Sequence, residues 1–140
     1  MRLDLYQAEI ALIAQEQSSL LDEARTIITS GNRLSLLEQN GVLHAIQVLV
    51  ENSIGKAKQL LKVNGRQVPL SAYDSFLGIS ELGIIKTCDL NSWNAAIGLR
   101  NRIVHDYMNI DMQRVLELVK KDQYRFITDF LLTPITTGII

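Results

Sequence analysis

Residues 34–63 run without a proline, with glycine only at positions 41 and 55, and their apolar side chains recur at helical spacing. Leu43, Ile46, Val50, Ile54, Ala57 and Leu61 form one stripe, three or four residues apart, which is the period of an amphipathic helix. Val42, Leu49 and Leu60 widen that stripe beyond what one core face requires. A helix apolar around most of its circumference is buried on two sides. In a chain of 140 residues, the second side is expected to meet a partner subunit across a two-fold axis.

The remaining segments carry the same period. Apolar positions at Ile13, Leu20, Leu21, Ala24, Ile27 and Ile28 predict a first helix, opened by a capping box of Asp4 and Gln7 and closed by Gly31-Asn32. The second helix spans about Leu34 to Val63 and stops at Asn64-Gly65, which can take the left-handed conformation of a helix terminus. After a loop at GRQVP, Ser71 through Asp74 reads as the N-cap of a short third helix reaching about Leu82. Asp89 or Asn91 can cap a fourth helix. Asp111 can cap a fifth, carrying Val115, Leu116, Val119, Ile127 and Phe130 toward the core. No alternating strand pattern competes. The expected fold is an all-α, five-helix up-and-down bundle, one domain over residues 1–132, with a tail at 133–140 that either docks on a partner or frays.

Composition limits the functional classes. Apolar residues make up 47% and charged residues 21%, ordinary for a globular protein. A net charge of −1 excludes a polycation that coats nucleic acid, but not a small local basic site. Lys56, Lys58, Lys62 and Arg66, like Lys120, Lys121 and Arg125, read as solvated helix faces. The apolar runs are far too short to cross a bilayer. Asp4 and Glu9 stand where an export signal would need an apolar core, and Cys88 has no partner for an internal disulfide. A cytoplasmic protein without a membrane partner is expected.

The chemistry gathers in LRNRIVHDYMNID, residues 99–111, where Arg100, Asn101, Arg102, His105, Asp106 and Tyr107 fall within eight positions. Arginine offers a rigid fork of donors matched to phosphate oxygens, and histidine can move a proton near neutral pH. No Cys, His or carboxylate cluster at metal-ligand spacing accompanies them, so no metal and no cofactor is expected. Five residues along a regular helix rotate by about 140°, so Arg100 and His105 cannot share a face, whereas Asn101 and His105 lie about 40° apart. Arg100 and His105 converge only if the helix ends or kinks near Val104, or if two copies meet. On spacing alone, side chains that merely cap and solvate a helix end fit equally well. Glu51-Asn52-Ser53 is a polar island in the second helix, either an outward strip or, through Glu51, a polar group facing a cleft.

The run from Arg100 to Tyr107 resembles the R-x4-H-x-Y signature of HepT-type toxins in the HEPN (higher eukaryotes and prokaryotes nucleotide-binding) superfamily. Four residues separate Arg100 from His105, Asn101 follows the arginine, Tyr107 lies two past the histidine, and the helix order agrees. The resemblance implies a toxin of a toxin–antitoxin system, a homodimer whose two motifs line one cleft and cleave RNA without a metal. Arg100 and His105 would be the catalytic pair, with Asn101 in support, and the ribose 2′-hydroxyl would attack to leave a 2′,3′-cyclic phosphate. It also implies a partner, an MntA-type nucleotidyltransferase antitoxin that transfers AMP to Tyr107. The same motif admits a second reading, a non-catalytic nucleotide- or substrate-binding subunit of such a nucleotidyltransferase. Arg102 and Asp106 are expected to be surface residues.

Overall fold

A computed structural model describes residues 2–135 of the chain, so the predicted tail at 133–140 lies largely outside the described residues. The described residues form six α-helices and no strand: α1 (Leu3–Thr29), α2 (Leu36–Val63), α3 (Ala72–Glu81), α4 (Leu90–His105), α5 (Met112–Lys120) and α6 (Arg125–Leu132). Two short 3₁₀ turns, Thr87–Asp89 and Tyr107–Asn109, flank α4. No helix among the described residues is long and apolar enough to cross a membrane.

The helix ends follow local chemistry. The α2 helix begins two residues after Leu34 because Ser35 and Glu38 form a reciprocal capping box, each side chain bonded to the other's backbone N–H. Ser71 caps α3 by accepting from the Asp74 amide at 3.2 Å. Gly31, at φ +85°, reverses the chain after α1, and Gly65, at φ +71°, does so after α2. At the start of α1 the expected capping box is absent. Arg2 occupies the cap position, Asp4 pairs with it at 2.8 Å, and Gln7 instead donates to the Leu131 carbonyl at 2.8 Å.

The expected fifth helix is two helices. Asp122 takes a left-handed φ of +57° between them, and its carboxylate accepts from Arg125 at 3.2 Å. The break lets α6 turn back onto α1 and α2 while α5 packs on α1.

The width of α2's apolar surface needs no second chain. The helix is central in the bundle, packed by α1, α3, α4 and α6, and Val42, Leu49 and Leu60 are buried within the one chain. Gly78 of α3 permits the close crossing, since a Cβ there would sit 2.9 Å from Leu61 Cδ2. Trp93 fixes α4 in the bundle, stacked on Phe76 of α3 at 4.3 Å and edge-on to Phe126 and Phe130 of α6 at 4.9 and 5.0 Å. Such aromatic pairs contribute about 1 kcal/mol each beyond their burial. The C-terminal half of α4 is therefore presented from a rigid base.

Lys56 departs most from expectation. It lies fully inside the core rather than on a solvated face, with its Nζ donating to the carbonyls of Phe130, at 2.7 Å, and Thr133. The ammonium thus serves as the C-terminal cap of α6, at the negative end of that helix's dipole. Burial lowers its pKa to about 8. Of the third basic cluster, Lys120 and Lys121 are exposed, and Arg125 pairs with Asp22 at 2.8 Å.

Candidate active site

The α4 helix stays regular through His105 and stops there, with Asp106 at φ −145° as its cap and the Asp106 amide bonded to the Arg102 carbonyl at 2.8 Å. The chain then enters the 3₁₀ turn Tyr107–Asn109, which Asn109 closes by donating to the Asp106 carboxylate at 2.7 Å. Because α4 neither kinks nor ends before His105, Arg100 and His105 keep the separation of about 140° that five helical residues impose.

Arg100 points to α2. Its Nε and Nη2 both donate to Glu51 Oε2, at 3.0 and 2.9 Å, and its Nη1 donates to Asn101 Oδ1 at 3.1 Å. Three of the five guanidinium donors are engaged in this way, which leaves two for a ligand. The same Glu51 oxygen accepts from Gln47 at 3.3 Å. The pair is partly open to solvent, 26% exposed at Arg100 and 37% at Glu51, so an anion can reach it. Glu51, Arg100 and Asn101 line one end of an open cleft of ≈ 670 Å³, walled by Lys58 and Ile54 of α2, Leu70 and Tyr73 beside the start of α3, and Ile97 of α4.

His105 is exposed on the other side of α4, and among the described residues nothing hydrogen-bonds its ring. The structure thus brings Arg100, Asn101 and Glu51 together, while His105, one turn beyond Asn101, lies about 140° around α4 from Arg100 within one chain. Tyr107 turns back toward α2, where its hydroxyl donates to Asn40 Oδ1. Arg102 is exposed, and Asp106, also exposed, serves only the turn. Of the polar island on α2, Glu51 alone faces the cleft. Asn52 and Ser53 bond back to the Val48 and Leu49 carbonyls of their own helix, and Ser53 is fully buried.

Sequence reasoning left Asn40, His44 and Gln47 out of this arrangement. With Glu51 they sit at spacings of four, three and four residues, which places all four within about 60° of one another on the helix. One polar ladder on α2 thus meets the motif at both ends, Glu51 at Arg100 and Asn40 at Tyr107. That heptad-like polar spacing inside an apolar helix was the available signal. Among the described residues, no three His, Cys, Asp or Glu side chains gather as a metal ion would require.

No curated protein matches the chain. A crystal structure of a toxin–antitoxin with AMP-PNP is similar in fold, with a TM-score of 0.75 at 17% identity over 90% of this chain and 97% of that one. The family model for HepT-like ribonucleases matches residues 15–132, a span that includes every polar residue of the ladder and of the motif. The chain belongs to the HepT-like ribonuclease family.

Proposed function

We propose that the chain is the toxin of a toxin–antitoxin pair, a metal-independent endoribonuclease that acts as a homodimer on RNA. The observation that carries this reading is the state of Arg100. Its guanidinium is held in a fixed orientation by Glu51 and Asn101 at the wall of an open cleft, with two donors left unused. A preoriented arginine of this kind stabilises charge that develops on a phosphate.

The other half of the chemistry falls to His105. As general base it takes the proton of the ribose 2′-hydroxyl, whose oxygen attacks the neighbouring phosphorus. The bond to the 5′-oxygen breaks, leaving a 2′,3′-cyclic phosphate and a 5′-hydroxyl once a proton is returned to that oxygen. Since one α4 presents Arg100 and His105 in different directions, the reacting phosphate sits between two copies, with Arg100 from one and His105 from the other. An apolar trough of ≈ 370 Å³ supports this assembly. It is lined in part by Ala95, Ala96 and Leu99 of α4 and Phe126 of α6, and leaves part of α4 uncovered within one chain.

The antitoxin is read as an MntA-type nucleotidyltransferase that transfers AMP to Tyr107. Added phosphate beside the site would repel an incoming RNA backbone. The deciding experiment incubates the purified chain with RNA and with the matching DNA in the presence of EDTA. RNA fragments ending in cyclic phosphate, intact DNA, and loss of cleavage in a folded His105→Ala protein are expected. A wild-type dimer that binds nucleotides yet leaves RNA uncut would replace this reading with the non-catalytic binding subunit.

A further inference from the structure

The hydroxyl of Tyr107 is bonded to a side-chain amide, and that amide can serve the tyrosine in two chemical states. We infer that Asn40 is a positioning residue for nucleotidyl transfer to Tyr107, accepting from the free phenol and donating to the phosphodiester after transfer. The inference rests on the reading of Tyr107 as the modified residue.

In the free protein the phenol donates to Asn40 Oδ1, across 67 residues of chain. This bond ties the turn Tyr107–Asn109 to α2, in addition to the turn's own Asn109–Asp106 bond. With its hydrogen committed to Asn40, the phenolic oxygen directs its lone pairs away from α2. Tyr107 is 48% exposed, so a nucleoside triphosphate held by a partner can approach that side. In the transfer, Tyr107 Oη forms a bond to the α-phosphorus, the bond from that phosphorus to the pyrophosphate oxygen breaks, and pyrophosphate leaves. The phenolic proton goes to a general base of the transferase, since an amide oxygen is too weak a base to keep it.

Transfer removes the hydrogen that bound Tyr107 to Asn40. Left as it was, Asn40 Oδ1 would then face an ester oxygen, two acceptors with no proton between them. Rotation of the amide by half a turn replaces Oδ1 with Nδ2, whose two N–H groups can donate to the non-bridging phosphate oxygens. Asn and Gln combine both functions in one planar amide, so that a half-turn exchanges acceptor for donor at the same place. Aspartate at this position would accept from the phenol equally well and then repel the phosphodiester. Alanine would do neither. The one ionisable group placed on the same face of α2 within a turn is His44, a base that adds no negative charge.

The test compares wild-type, Asn40→Asp, Asn40→Ala and Tyr107→Phe chains, each incubated with a purified MntA-type nucleotidyltransferase and ATP. Intact mass follows the AMP increment, and the melting temperature of each chain is measured before and after modification, so that effects on folding cancel. Asn40→Ala should be modified about fivefold more slowly than wild type, and Asn40→Asp also more slowly than wild type, because its charge repels the incoming triphosphate. Modification should lower the melting temperature of Asn40→Asp by at least about 3 °C more than that of wild type. A tether that acts only structurally predicts the same modification-induced shift for Asn and Asp, and that result would overturn the inference, as would equal rates in all three chains. No increment on the wild type, or one that persists in Tyr107→Phe, would overturn the Tyr107 reading and this inference with it.

Discussion

Glu51 holds Arg100 through a single oxygen, Oε2, which also accepts from Gln47. The pair is partly exposed, and exposed ion pairs contribute about 0–1 kcal/mol to stability. On the proposed function, its value is in aiming the guanidinium. Glu51→Gln should therefore leave the melting temperature within about 2 °C of wild type while lowering kcat for RNA cleavage about tenfold. A variant that loses stability and activity in parallel would make Glu51 a structural residue. Lys56 is the converse case, a cation whose role is structural. Burial brings its pKa from the ordinary 10.5 to about 8. Between those values the unfolded chain binds a proton that the folded chain has lost, so stability rises as pH increases through that window. The neutral amine still has two N–H groups for the Phe130 and Thr133 carbonyls, so the cap survives deprotonation. Denaturant titrations at pH 7 and 9.5 should show wild type gaining about 2 kcal/mol relative to Lys56→Met, a comparison that cancels the other titrating groups. A flat difference between the two proteins would mean that the ammonium keeps its charge in the core.

At the scale of elements, the sequence was legible wherever a local device marks a boundary. Gly31, Gly65 and Ser71 end or begin helices by their own backbone or side-chain chemistry, and each lies where its residue type predicts. The break between α5 and α6 has no such mark. Lys120-Lys121-Asp122-Gln123 contains neither Gly nor Pro, and apolar residues continue at helical spacing on both sides. Aspartate is among the few residues other than glycine that take the left-handed conformation readily, and here Arg125 holds its carboxylate. Asp122→Ala should consequently cost about 1 kcal/mol in equilibrium unfolding, with Asp122→Asn close to neutral. Equal losses in the two variants would assign the effect to the Arg125 contact instead of to the backbone. Side-chain partners across elements were the least legible. Lys56 looks like any surface lysine until α6 folds back over α2, and the excess apolar width of α2 reflects four neighbouring helices, a count that periodicity cannot supply.

For the whole molecule, the proposed assembly rests on an angle. The motif's spacing already indicated that Arg100 and His105 diverge by about 140° on a regular helix, and α4 is continuous to its end at His105. Arg100 is committed to the Glu51 side, while His105 stands in solvent. On the proposed function, a reacting phosphate draws Arg100 from one chain and His105 from the other. Under that arrangement Arg100→Ala and His105→Ala homodimers are each inactive, but a mixed dimer contains one intact Arg100 and one intact His105, on different chains. Co-refolding equal amounts of the two variants places half of the chains in mixed dimers, and one of the two composite pairs in each is complete. Cleavage of about a quarter of the wild-type rate per dimer should return. Activity that stays absent after exchange, with mixed dimers demonstrated by native mass spectrometry, would require both groups to act from one chain. The 3₁₀ turn after His105 would then have to rearrange when RNA binds.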